Sequence, residues 1–156
     1  MSLERLLALC KIDFPDEHPL PGALRLVVAS LVAVVGSLAL DALLVAAGTH
    51  LFPSTHGYEH FRFSSYAKLT VAGVFFACVG WPVVTWVSSA PRWVYLRAAV
   101  AVTLVLWLPD LWILAQGQPA KAVAVLAVMH VAIAVVTYNA MVRLAPPRAP
   151  AGRTAG

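Results

Sequence analysis

The sequence predicts an all-α membrane protein: a four-transmembrane-helix bundle preceded by a short amphipathic helix lying at the membrane interface. Composition is the first observation behind this. Of 156 residues, 61% are hydrophobic and 12% charged, whereas soluble domains carry about 45–50% apolar and about 25% charged residues. With a mean hydropathy of +0.83, the chain lacks the polar surface to cover itself in water. The second observation is segment length. A bilayer core of about 30 Å takes about 20 apolar residues in helical form, and four runs meet that requirement. The third is punctuation, because proline, glycine and serine fall between the runs. The length argues for one domain.

Residues 1–22 form the interfacial part. Leu3, Leu6, Leu7, Cys10 and Phe14 recur at helical spacing, with Glu4, Arg5, Lys11 and Asp13 between them. That pattern describes an amphipathic helix too short to span. A proline-rich connector, Pro15 to Pro21, then turns into the first span, 23–47, which Pro21-Gly22 precedes and Gly48 follows. This run exceeds the apolar core of a signal peptide, which is about 7–15 residues, so it is expected to stay uncleaved. The second span covers 66–87, with Ser64-Ser65 offering capping oxygens. Ser88-Ser89-Ala90-Pro91 separates it from the third, 93–115. Gly117-Gln118-Pro119 connects tightly to the fourth, 120–144. Helix is required throughout, since a lone strand in lipid leaves its backbone groups unpaired. Pro82 and Pro109 lie inside spans two and three, where each removes a backbone donor and is expected to kink its helix. Residues 145–156, rich in Pro, Ala, Gly and Arg, are expected to form a disordered cytoplasmic tail. No internal repeat is evident.

Orientation follows from the cationic residues. Arg5, Lys11, Arg25, Arg92, Arg97, Arg143, Arg148 and Arg153 fall on one side, and Arg62, Lys68 and Lys121 on the other. Cytoplasmic loops carry the Lys and Arg excess, so both termini are expected inside. The net charge of +4 does not indicate nucleic acid, because the basic residues are scattered singly and form no stripe along which phosphates could track. Cys10 and Cys78 match no metal spacing and lie at different depths, which argues against a mutual disulfide.

Three ionisable residues fall inside the spans: Asp41, Asp110 and His130. A carboxylate near the bilayer centre costs about 2.5–3.5 kcal/mol on insertion scales, so such groups face a bundle interior or a wet cavity. At 1.5 Å per residue, Asp41 and Asp110 lie about 10 Å and about 9 Å below the outer surface, and His130 about 16 Å. All three therefore belong to the outer half, as candidates for a ligand- or proton-binding cluster. The alternative is packing glue, interhelical hydrogen bonds each worth about 0.6–2 kcal/mol. Pro109 frees a carbonyl near Val105, one turn before Asp110, as at the wall of a polar cavity.

The first outer loop, His50 to Ser65, holds three of the five histidines. His56-Gly57-Tyr58-Glu59-His60 matches the H-x-x-E-H pattern of one metalloprotease class. That chemistry needs both histidines on one helical face, and Pro53 and Gly57 interrupt the loop. His50, His56 and His60 remain metal candidates for zinc, against a plain reading in which Phe52, Tyr58, Phe61 and Phe63 anchor an interfacial lid. No cofactor is expected. The chain has no phosphate loop, nucleophile triad, haem motif or redox cysteine pair, which points away from an enzyme. Ala29, Ala33 and Ser37, and again Ala120 and Ala124, form small-residue ridges suited to helix association.

Leu108-Pro109-Asp110-Leu111, then Met129-His130-Val131, then Val142-Arg143-Leu144-Ala145-Pro146 together resemble an uncharacterised actinobacterial four-helix integral membrane protein family, a domain of unknown function. The resemblance implies the four-helix architecture and a bacterial inner membrane, and it carries over no catalytic residue. Two functional readings follow. The first is a non-enzymatic helper subunit of a larger membrane complex, or a homo-oligomer. The second is a small carrier or binding protein for a proton, ion or lipid-like ligand, using Asp41, Asp110 and His130.

Overall fold

In the computed structural model the described residues are 5, 7–8, 10–15 and 20–148. They contain four long helices and no strand: α1 (Ala23–Leu51), α2 (Phe63–Val87), α3 (Pro91–Ala115) and α4 (Ala120–Leu144). Each is long and apolar enough to cross a bilayer, with window hydropathies from 1.7 to 2.3. The chain is a multi-pass membrane protein. Its helices run alternately up and down, so one end of the bundle holds the start of α1, the α2–α3 turn and the end of α4. We call this the terminal end. The loop end holds the α1–α2 loop and the α3–α4 turn.

Three helix boundaries differ from the sequence expectation: α1 runs on past residue 47, α2 starts before residue 66, and α3 starts at Pro91 rather than at 93. Gly48 does not end α1; the helix continues to Leu51, and Gly48 is buried within it. A Cβ on Gly48 would stand 2.8 Å from the Val125 side chain of α4, so the glycine serves close approach rather than termination. Likewise α2 starts at Phe63 with Arg62 as its N-cap, which places Ser64 and Ser65 inside the first turn. Pro82 and Pro109 are accommodated in helices that run through them unbroken.

Helix α4 is the hub. It packs most extensively on α1, next on α3, and also reaches α2, whereas α1 and α3 share no substantial contact. The α1–α4 seam is built from small residues. Ala29, Ala33 and Ser37 form one buried stripe on α1, continued by Asp41 one turn on. The ridge therefore turns inward, against the bundle. Gly36, whose added Cβ would meet Val136 at 3.1 Å, belongs to the same tight approach. By contrast α3 buries only Tyr95 and Asp110. The outward faces of all four helices carry Leu, Val and Phe, the surface a bilayer solvates.

At the terminal end the core closes around aromatic rings. Trp81 is fully buried, meets Tyr95 edge-on at 5.0 Å, and donates its indole N–H to the Ala145 carbonyl at 2.8 Å. Tyr95 stacks on Tyr138 and donates its hydroxyl to the Ala77 carbonyl at 3.1 Å. The N-terminal segment docks beside this core. The amides of Asp13 and Phe14 both donate to the Val87 carbonyl, the Ser88 hydroxyl donates to the Lys11 carbonyl at 2.5 Å, and the Ser89 amide donates to Asp13 Oδ1 at 2.8 Å. These bonds hold Lys11 and Phe14 at left-handed φ angles of 57° and 41°. Of the expected interfacial helix, Arg5, Leu7 and Ala8 are helical, while Leu3 and Leu6 lie outside the described residues. The expected disordered tail beyond Arg148 lies outside them as well.

Candidate functional site

The three intramembrane ionisable residues converge in the loop-end half of the bundle. His130 reaches from α4 to α3, where its Nδ1 stands 3.1 Å from Asp110 Oδ2. The contact is a close approach of imidazole and carboxyl without the alignment of a hydrogen bond. Asp110 is buried because it is one of the few α3 positions that face α4. On the other side of α4, Asp41 is fully buried, continuing the small-residue stripe of α1. Thr70 of α2 donates its hydroxyl to Asp41 Oδ2 at 2.7 Å. Asp41 and His130 lie within electrostatic reach of one another. Since α4 lies between α1 and α3, His130 occupies the position between the two acids.

The α1–α2 loop covers this cluster. It is compact, with two 3₁₀ turns, Pro53–Thr55 and Glu59–Phe61, that bury Thr55 and Phe61. The Thr55 hydroxyl donates to the Phe52 carbonyl at 2.8 Å, which closes the first turn. Tyr58 lies between the two turns and packs edge-on against Phe61. Burial pushes its phenol above the usual tyrosine value, and the negative charge of Asp110 adds to the shift. His60 stacks on the Tyr58 ring at 5.1 Å and is itself within electrostatic reach of Asp110. A cavity of about 370 Å³ lies beside Tyr58, lined by Val45, Thr49, Gly57, Tyr58, Phe61 and Arg62.

Satisfied and unsatisfied atoms alternate here. Among the described residues, Asp41 Oδ1 and the Tyr58 hydroxyl are buried without a hydrogen-bond partner. A buried polar atom left unpaired costs about 1–3 kcal/mol, and the Ser37 and Thr137 hydroxyls outside the cluster are unpaired too. The arrangement supplies two carboxyl groups, one imidazole and one phenol. That set of donors and acceptors suits the exchange of a proton.

The histidine loop does not assemble a metal site. Among the described residues no three His, Cys, Asp or Glu side chains are grouped so that they could hold a metal ion, neither His50, His56 and His60 nor Asp41, Asp110 and His130. His50 ends α1, His56 is exposed, and His60 is engaged with Tyr58. Both cysteines are free thiols, Cys10 exposed and Cys78 half-buried.

Sequence reasoning missed Thr70 as a member of the cluster. A threonine in an apolar helix ordinarily bonds a carbonyl one turn back in its own helix, as Thr103 does with Ala99, so its type and position carry no signal. Tyr58 was legible only as a lid anchor. Its proximity to Asp110 depends on how the loop folds back.

Compared with known proteins, the chain matches no family model, no curated protein and no solved structure. Its site is therefore read from geometry alone.

Proposed function

We propose that this chain is a non-enzymatic integral membrane protein that binds a proton at Asp41, His130 and Asp110, beneath a lid built around Tyr58. The observation that carries the reading is the convergence of all three ionisable residues on the hub helix, with Asp41 Oδ1 and the Tyr58 hydroxyl still unpaired. Ionisable groups at this depth are costly, and a bundle retains them where they line an interior site. The setting we assign is a bacterial inner membrane with both termini in the cytoplasm, which places the cluster in the outer leaflet half. The support for that orientation is the arginine- and lysine-rich terminal end. A helper-subunit or homo-oligomer role would draw on the lipid-facing surfaces, because the Ala29–Ala33–Ser37 ridge is consumed by α4.

The test compares wild type with Asp41→Asn, Asp110→Asn and His130→Gln in one detergent, by thermal unfolding across about pH 5 to 8, where imidazole titrates. His130 is paired with Asp110 and within electrostatic reach of Asp41, while His60 and Tyr58 of the lid act on Asp110. A binding site predicts that the substitutions leave stability unchanged or raise it, as functional clusters are held at a stability cost. Uniform losses of about 0.6–2 kcal/mol would reduce the cluster to interhelical glue.

A further inference from the structure

A second feature lies away from the acid–imidazole cluster, on the lipid-facing side between α3 and α4. Between the two helices lies an apolar groove of about 290 Å³. Leu96, Val100 and Leu104 form one wall and Val131, Ala134 and Val135 the other. Trp107 closes the groove near mid-membrane, where its indole N–H donates to the Ala127 carbonyl at 3.1 Å and ties α3 to α4. From Leu96 to Trp107 the groove runs about 16 Å at 1.5 Å per residue, half of a hydrocarbon core of about 30 Å. It therefore extends through a single leaflet.

Its mouth is cationic. Arg92 lies one turn before Leu96 on the same face of α3, and Arg143 lies one turn after Asn139 on the same face of α4. Both arginines are exposed, and among the described residues no carboxylate pairs with either. Arg97, by contrast, is already laid over the Trp93 ring at 3.5 Å, which marks this level as the interface where an aromatic belt sits. Asn139 lines the groove but spends one amide proton on the Val135 carbonyl of its own helix at 2.8 Å. An apolar slot one leaflet deep, ending at two unpaired guanidinium groups, is complementary to a single kind of molecule.

We infer that the α3–α4 groove is a binding site for an anionic phospholipid, with one acyl chain lying between Leu96 and Trp107 and the phosphate held by Arg92 and Arg143. A guanidinium fork suits phosphate oxygens, and it remains charged at every physiological pH. The neutral apolar wall discriminates little among chains, so selectivity resides in the headgroup charge. The site is independent of the proton-binding reading, since it shares no residue with that cluster.

The test is native mass spectrometry of the full chain released from mixed phosphatidylglycerol and phosphatidylcholine nanodiscs. Wild type is expected to retain one phosphatidylglycerol in preference to phosphatidylcholine. Arg92→Gln is expected to lower that preference roughly fivefold, and Arg92→Gln with Arg143→Gln on the order of twenty-fold, at about one basic residue's attraction each. Ala134→Phe, which fills the groove and leaves the arginines, should abolish retention of both lipids. Equal retention of the two lipids by wild type, or a double variant that keeps phosphatidylglycerol as wild type does, would overturn the site. Unchanged retention in Ala134→Phe would likewise exclude the groove as the seat of the chain. Helical content by circular dichroism, measured on each variant, shows that a loss of lipid is not a loss of fold.

Discussion

The hub helix α4 makes two seams of opposite character. Against α1 it closes on alanine, glycine and serine, so tightly that one added carbon at Gly48 would collide with Val125. Against α3 it touches at the Tyr95–Tyr138 stack, at Trp107 and at the Asp110–His130 pair, and between them leaves a groove. Both neighbours are apolar enough to cross a bilayer. The difference lies in side-chain size at the contact: small residues let backbones approach, and larger ones hold them apart. Without a hydrophobic force between helices in lipid, packing of this kind decides which seam is rigid. The closed seam is the scaffold, and the open seam is where a bundle can accept something from outside.

The largest expected effect tests the closed seam. Ala33→Leu introduces three carbons at a fully buried position and should cost about 1–3 kcal/mol or unfold the bundle, read as a lowered Tm in detergent. The same change at lipid-facing Ala39 should leave Tm in place. Equal tolerance at both sites would erase the distinction between the seams. Thr70→Val comes next. It removes the donor that Asp41 Oδ2 accepts while preserving shape, and should cost about 1–2 kcal/mol by the same measurement. A neutral result there would mean that the inner acid is held by packing alone.

At the open seam, Trp107→Phe deletes a single interhelical bond. A loss of about 0.6 kcal/mol is expected, the average for such bonds in membranes. A loss as large as that of Ala33→Leu would show that the groove wall is itself part of the scaffold.

The smallest effect concerns the docked N-terminal segment, which belongs to neither seam. Hydrogen bonds from Ser89 hold the Asp13 carboxyl below the usual aspartate value. A depressed carboxyl contributes its stabilisation above its unfolded value of about 3.9 and loses it as pH falls through the folded value. A spin label on exposed Cys10, in a Cys78→Ala background, should therefore be immobile at neutral pH and gain mobility only in acid. Asp13→Asn should release the label at neutral pH, with Tm nearly unchanged. A label already mobile in wild type at neutral pH would show that these bonds do not hold the segment.

How much was legible beforehand divides along physical lines. The existence, number and order of the helices follow from apolar run length, because bilayer thickness sets a single length scale that every span must meet. The three intramembrane ionisable residues were legible for the same reason, as each is an exception to an apolar run. Their place in one half of the membrane follows from counting residues at a fixed rise. Gly48 misled, since glycine signals both helix ends and close packing, and only Val125 on another helix tells the two apart. Thr70 and Tyr58 were invisible as members of the cluster, being ordinary residues for their positions.

The sequence by itself therefore determined a four-helix membrane protein and named Asp41, Asp110 and His130 as its unusual residues. Only the tertiary structure decided that α4 is the hub, that His130 pairs with Asp110 while Asp41 goes to Thr70, and that one seam is sealed while the other is open. The reason is physical. A span is specified by the transfer of its own side chains into lipid, a property of each segment alone. A neighbour is specified by complementarity between two surfaces, which belongs to neither segment until they meet.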